Sequence, residues 1–236
     1  MATTIKNKST YLLIIGFIGL IIISLQTFIL IPLEKELAYH MIVEHSIFFL
    51  LGATSIKIAE LFLKALVIYS KKQGNNDSKN SNIYNKKNII LKFTIFWSKL
   101  LRKIFKTKEM GFVWVIISIF ILAFWHIPSI FDYSELHADI HILQHISFII
   151  VGMAGFLSLR ALGESYKIFL LLILAGMMGF IGLIFSVLDT SIFDVYSISS
   201  HNYAGTCMVV VSLVILIVGL PLYTIKKTLS YAKAKT

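Results

Sequence analysis

Cysteine, proline and charged residues are all scarce in this chain of 236 residues. It contains one cysteine and three prolines, and charged residues make up 14% of it. Cys207 has no partner within the chain, so disulfides do not determine the fold and give no information about the redox compartment. Hydrophobic residues make up 57%, and the mean hydropathy is +0.83. A composition this apolar excludes an ordinary water-soluble domain.

Common catalytic and nucleotide-binding motifs are absent as well. The sequence has no HExxH zinc-protease motif, no GxSxG nucleophile elbow and no Walker A loop. It also has no water-facing segment in which basic residues alternate with aromatic ones, as in many nucleic-acid-binding domains. We therefore expect that the protein is not an enzyme and does not bind nucleic acid.

Long apolar runs predict a polytopic membrane protein. About 20 apolar residues cross a bilayer as a helix, and six segments reach roughly that length. They are residues 11–32, 38–58, 111–128, 140–159, 168–188 and 203–223. Runs such as IFLLLILAGMMGFIGLIF lack the alternating pattern of a membrane β-barrel. We therefore predict an all-α bundle of six transmembrane helices, forming a single membrane domain over residues 1–236.

The distribution of basic residues predicts the orientation of this bundle. Of 22 Lys and Arg residues, only Lys35 falls in a predicted outer loop. Because Lys and Arg accumulate in cytoplasmic loops, both termini are predicted to lie inside the cell. The net charge of +10 then reflects orientation in the plasma membrane rather than a nucleic-acid partner.

Residues 71–110 form the longest polar interval and are predicted to be cytoplasmic. The interval begins KKQGNNDSKNSNIYNKK, a composition typical of a flexible loop. Apolar residues then recur at helical spacing opposite a basic face, namely Ile89, Phe93, Phe96, Trp97 and Leu100. This pattern predicts an amphipathic helix on the inner leaflet that is attracted to anionic lipid. A solvated orientation signal is the simpler alternative.

All seven histidines are predicted to lie at or near the outer face of the bundle. Ionisable residues are costly within a membrane segment and are kept mainly where they pair, line a cavity or bind a ligand. His141 and His145 are four residues apart, so their rings project from one helical face and can share a metal. His137 extends this row if the helix begins early enough. His40 and His45 are five apart and are expected to diverge around an α-helix.

Several neighbouring residues also fit a metal site. Pro128 is expected to end a helix and to leave His126 at that end. Three acids can accept a hydrogen bond from the second nitrogen of a ligating histidine, or can be ordinary loop acids, namely Asp132, Glu135 and Asp139. Met41 lies four residues before His45 and offers a thioether that suits Cu(I), although packing is the more ordinary role of methionine.

Three patches together resemble the CtaG-like cytochrome c oxidase assembly proteins, and more closely their short archaeal relatives. The patches are HMIVEHSIFFLLG at 40–52, WHIPSIFD at 125–132 with HILQHISF at 141–148, and SHNYAGTCM at 200–208. The resemblance implies a membrane protein that helps copper reach the outward-facing copper centre of a respiratory oxidase. It implies a set of copper ligands, namely His45, His126, His141 and His145, with His40 and His201 as further candidates.

We therefore expect a copper-binding assembly or delivery protein for a respiratory oxidase or another membrane copper enzyme, with its metal site near the extracytoplasmic face. Two alternatives use the same histidines. One is an electron carrier with b-type haem, held for example between His45 and His145. The other is an accessory subunit of a membrane copper enzyme. A delivery protein must release its metal, so an exposed or incomplete ligand set is expected for that role.

Overall fold

The computed structural model describes residues 14–19, 21–22, 36–76, 92, 96 and 107–235, and these ranges are mostly helical and contain no strand. The predicted all-α class is therefore confirmed. A π-helical turn, Tyr39–Glu44, leads into helix α1, His45–Asn76. The helices that follow are α2 (Lys108–Trp125), α3 (Pro128–Leu136), α4 (Ala138–Ala161), α5 (Glu164–Val187) and α6 (Ile198–Val214). A second π-helical turn, Ile215–Gly219, joins α6 to α7, Leu220–Lys235.

Five helical stretches in these ranges are long and apolar enough to cross a membrane. They are Tyr39–Ala65, Lys108–Trp125, Ala138–Ala161, Glu164–Val187 and Ile198–Ser230. They correspond to the second to sixth predicted segments, with ends that differ by a few residues. Most of the first predicted segment, residues 11–32, lies outside the described residues, although 14–19 and 21–22 are helical.

Only the two ends of the predicted cytoplasmic interval, residues 71–110, lie in long helices within the described residues. Helix α1 continues to Asn76, because Lys and Gln are good helix formers. Its last three residues, Gly74, Asn75 and Asn76, have low helix propensity, and the helix ends there. Helix α2 then begins at Lys108, just before the predicted end of the loop. The predicted amphipathic helix lies outside the described residues, apart from positions 92 and 96.

The chain divides into two compact units. The first comprises Met1–Ile23, Phe49–Ile121 and Ser147–Leu162, and the second comprises Ser24–Phe48, Leu122–Ile146 and Gly163–Thr236. In the first unit, α1 and α4 cross at a pair of glycines. A Cβ at Gly52 would collide with the carbonyl of Ile149, and a Cβ at Gly152 would collide with the backbone of Phe49. Small residues allow membrane helices to approach this closely.

The second unit has a hydrophobic core and a glycine crossing of its own. The core consists of Leu37, Ala38, Phe131, Phe185, Phe193, Tyr196, Ala204 and Met208. Helices α5 and α6 cross where Gly182 faces Gly205, and a Cβ at Gly182 would lie 2.8 Å from the carbonyl oxygen of Gly205. This unit contains all seven histidines of the chain.

The short helix α3 is fixed at its start and along its length. As predicted, the chain turns before Pro128: α2 ends at Trp125 and Pro128 begins α3. The Asp132 carboxylate accepts the backbone N–H groups of Asp194 and Val195, at 3.1 and 3.4 Å. The loop between α5 and α6 therefore holds α3 in place.

Candidate metal centre

Four buried side chains of the second unit form a group that can hold a metal ion. This four-residue group consists of His40, Glu44, His141 and His145, and one ligand atom from each lies within 4.8 Å of all the others. Their exposure ranges from 0% for His40 and Glu44 to 8% for His141. Ligands bound to one ion at about 2.1 Å lie at most about 4.2 Å apart, so only small movements separate this group from a bound site.

Glu44 lies between two imidazole rings. Its Oε2 is 3.0 Å from Nδ1 of His40, and its Oε1 is 3.3 Å from Nε2 of His145. The carboxylate is completely buried. Because a charge removed from water is costly unless it is paired, a carboxylate at this position is stabilised by a positive partner, such as a protonated imidazole or a metal ion.

The π-helical turn Tyr39–Glu44 brings His40 together with the residues that follow it. In a π-helix each carbonyl accepts from the fifth residue along, and the His45 N–H indeed donates to the His40 carbonyl. The wider turn places Glu44 and His45, four and five residues further along, on the same face as His40. The Nε2 atoms of His40 and His45 are consequently 3.0 Å apart. The expectation that these histidines diverge is therefore wrong, because it assumed α-helical geometry.

His141 and His145 lie on one face of α4, as their four-residue spacing predicts. Their ring centroids are 4.2 Å apart in an edge-to-face arrangement. The ring of His145 also stacks on Phe48, with centroids 4.2 Å apart. This stacking limits the orientations that the His145 ring can adopt.

Glu135 on α3 is a second carboxylate at the centre. Its Oε1 is 3.2 Å from Nδ1 of His141 and 3.5 Å from Nε2 of His40. The Tyr196 hydroxyl donates to Oε2 at 3.0 Å. Burial by itself raises the pKa of Glu135, but the contacts with His141, His40 and Tyr196 outweigh burial and hold the pKa below its usual value.

His126 lies at the edge of the centre, next to His45. The centroids of the two rings are 5.8 Å apart. Nδ1–H of His126 donates to the Leu122 carbonyl at 2.6 Å, which leaves Nε2 as the nitrogen that carries the lone pair. Burial lowers the pKa of His126, although the hydrogen bond to Leu122 partly opposes that shift.

His201, from the predicted ligand set, and His137, the predicted extension of the row, lie apart from the four-residue group. His201 uses both ring nitrogens for backbone contacts: Nε2 accepts from the Phe193 N–H at 3.1 Å, and Nδ1–H donates to the Ser197 carbonyl at 2.9 Å. His137 is exposed, and its ring stacks on Tyr133 with centroids 4.0 Å apart. The structure therefore gives His201 a role in fixing the loop before α6, and His137 does not extend the row of His141 and His145.

Of the predicted supporting acids and the candidate thioether, only one residue lies at the metal centre within the described part of the chain. Asp132 holds the loop before α6, and Asp139 is exposed, so of the three predicted acids only Glu135 contacts imidazoles in the part of the chain that the structure describes. Met41 packs against the hydrophobic core of the second unit. Glu44 was not predicted as a ligand. Its spacing of four residues after His40 is the sequence signal that indicates it.

The fold and the four-residue group together define a helical membrane protein whose buried histidines and glutamate can bind a metal ion. Residues 78–229 match a protein family that is described as protein of unknown function (DUF1404). Because the match covers more than half of the chain, the chain belongs to this family. The matched range includes Glu135, His141 and His145, whereas His40 and Glu44 precede it. No curated protein and no solved structure matches the chain.

Proposed function

We propose that this is a copper-binding protein of the cell membrane that serves a respiratory oxidase or another membrane copper enzyme, with copper bound at the four-residue group. The full burial of Glu44 between the rings of His40 and His145 carries this proposal. A divalent ion among these ligands compensates for the lost solvation of the carboxylate. Imidazole and carboxylate together are common ligands of transition metals.

Copper in its divalent state is the ion that we propose. Sites of nitrogen and oxygen ligands bind divalent metals with an affinity that rises to a maximum at Cu(II). Cu(I) instead prefers soft sulfur ligands, and Met41, the candidate thioether, packs against the hydrophobic core. Zn(II) is the principal competitor, because it also accepts imidazole and carboxylate.

The resemblance to CtaG-like proteins supports a role at an outward-facing copper centre. The distribution of Lys and Arg along the chain supports a metal site on the extracytoplasmic side, since all the histidines fall at the opposite ends of the predicted helices. We propose that the copper bound here is required for assembling or maintaining the client enzyme.

The burial of the ligands favours a retained ion over a rapidly exchanging one. All four ligands are at most 8% exposed. A carrier that exchanges its metal freely needs an open coordination position, which a buried set of four ligands does not provide. An accessory subunit that keeps its copper is therefore the second candidate function, and this burial is the observation that favours it.

A haem-binding role has less support from the geometry. The two axial ligands of a bis-histidine haem lie on opposite faces of the macrocycle. Here the rings contact one another directly, with centroid distances of 4.2 Å between His141 and His145 and 4.6 Å between His40 and His45. Such contacts suit a small ion better than a macrocycle.

Metal analysis of detergent-purified protein tests the proposal. After incubation with Cu(II) and gel filtration, the wild type is expected to retain at least one copper per chain and to show no Soret band. The double variant His141→Ala/His145→Ala is expected to retain at least one copper fewer, with normal membrane insertion. His137→Ala is the matched control, since this histidine is exposed.

Three results would contradict the proposal. Undiminished copper in the double variant would exclude these ligands. Preferential retention of Zn(II) when both metals are supplied equally would exclude copper as the metal. A Soret band in protein isolated from its own cells would favour the haem carrier.

A further inference from the structure

We propose a second metal position beside the first, formed by Glu135, His45 and Nε2 of His40. This inference rests on the proposed metal-binding function and extends it from one ion to two. Glu135 and His45 are not members of the four-residue group, yet both are buried against it. The Glu135 side chain is 7% exposed and His45 is 4% exposed.

The distances from Nε2 of His40 to the other two ligand atoms fit a single ion. Nε2 of His40 is 3.0 Å from Nε2 of His45 and 3.5 Å from Oε1 of Glu135. Two ligand atoms bound tetrahedrally at about 2.1 Å are about 3.4 Å apart. An ion bound at Nε2 of His40 is therefore within reach of both His45 and Glu135.

The two nitrogens of His40 face different carboxylates. Nδ1 is 3.0 Å from Glu44, and Nε2 is 3.5 Å from Glu135. With its proton on Nδ1, which is the nitrogen near Glu44, His40 keeps the lone pair of Nε2 for the second ion. In this arrangement His40 is a direct ligand of the second ion rather than of the first, which keeps Glu44, His141 and His145 as its ligands, and His40 supports the first ion through Glu44.

His141 has the reciprocal relationship to the two carboxylates. Its Nδ1 is 3.2 Å from Glu135, so a proton on Nδ1 faces Glu135 and the lone pair lies on Nε2. The Glu44–His145 distance of 3.3 Å also matches the spacing of two ligands on one ion. Each position then has two imidazoles and one carboxylate, and each carboxylate also orients an imidazole of the other position.

His126 is the candidate fourth ligand of the second position. Its ring lies 5.8 Å from that of His45, and the hydrogen bond from Nδ1–H to the Leu122 carbonyl keeps the lone pair on Nε2. Ligand sets rich in imidazole with one carboxylate suit Cu(II) or Zn(II). The structure therefore points to a dinuclear transition-metal centre.

Metal stoichiometry of the full chain tests the second position. Purified protein is incubated with Cu(II), passed through gel filtration, and analysed for copper per chain by mass spectrometry. Two copper ions are expected for the wild type and one each for Glu135→Gln, His45→Gln and Glu44→Gln. The double variant Glu44→Gln/Glu135→Gln is expected to retain none. Asp139→Asn and His137→Gln, at exposed positions, are the matched controls and are expected to retain two.

The outcomes separate this inference from the proposed function. One copper in the wild type, lost in Glu44→Gln and kept in Glu135→Gln, would overturn the second position and leave the proposed function standing. No copper in the wild type would overturn both. Two coppers in both the wild type and Glu135→Gln, or the loss of one in His137→Gln, would overturn the assignment to Glu135. Circular dichroism and elution volume identify variants that fail to fold, and wild-type stoichiometry alone still tests the inference.

Discussion

Nε2 of His40 lies 3.0 Å from Nε2 of His45, although the residues are five apart in the chain. In a regular α-helix such residues project about 140° apart. The π-helical turn Tyr39–Glu44 removes this divergence and also points Glu44 at His145. One wide turn thus brings together His40, Glu44 and His45, three side chains of types that can ligate a metal, which agrees with the frequent occurrence of π-bulges at functional sites.

Replacing Glu44 with Gln is expected to separate metal binding from folding. The change removes a charged ligand at constant size, so we expect the copper affinity of the first position to fall more than roughly 100-fold. This loss exceeds the roughly 10- to 100-fold loss of affinity that is typical when a residue that only supports a ligand is replaced. Competition with a chelator of known affinity measures this. The metal-free variant is expected to melt no lower than the wild type, because a buried charge has been removed. Unchanged copper affinity, with Asp139→Asn as the control, would show that Glu44 is not a ligand.

His201 is expected to affect stability and not metal content. In His201→Ala the buried Phe193 N–H loses its acceptor, which costs about 1–3 kcal/mol. A lower melting temperature in detergent with unchanged copper per chain is therefore expected. His137→Ala is the control for the loss of an exposed ring. Lost copper at unchanged stability would instead return His201 to the set of metal ligands.

Much of the fold was predictable because it follows from local properties of the chain. Apolar runs of sufficient length located five spans, and Pro128 marked the start of α3 because it cannot continue the preceding helix. The four-residue spacing of His141 and His145 placed both rings on one helical face. Each of these inferences depends only on residues that are near one another in sequence.

The remaining features depend on tertiary structure. Hydrophobic periodicity does not distinguish one π-helical turn from an α-helical turn, so the contact between His40 and His45 could not be derived. Glu44 is one of 12 acidic residues in the chain, and its burial depends on which helices pack around it. The pairing of His201 with the Phe193 N–H depends on the path of a loop, which residue spacing does not determine.

The glycine crossing of α1 and α4 predicts a stability difference between neighbouring glycines. Gly52→Ala and Gly152→Ala place a Cβ against the backbone of the facing helix, whereas a Cβ at Gly155 meets nothing within 4 Å. We expect the first two variants to lose about 1–3 kcal/mol or more, because backbone atoms yield less readily than side chains. Gly155→Ala is the control and is expected to keep the wild-type melting temperature. Equal melting temperatures for all three would show that α1 and α4 are not in close contact here.

Accessibility of two threonine positions tests the orientation on which an outward-facing site depends. In a Cys207→Ser background, Thr190→Cys in the loop before α6 is expected to react with a membrane-impermeant maleimide in intact cells. Thr107→Cys, just before α2, is expected to react only after lysis, because basic segments stay in the cytoplasm. Both threonines are exposed, so local burial does not explain a difference. The opposite labelling would leave the ligands in place but put them on the cytoplasmic side, where they cannot serve an outward-facing copper centre.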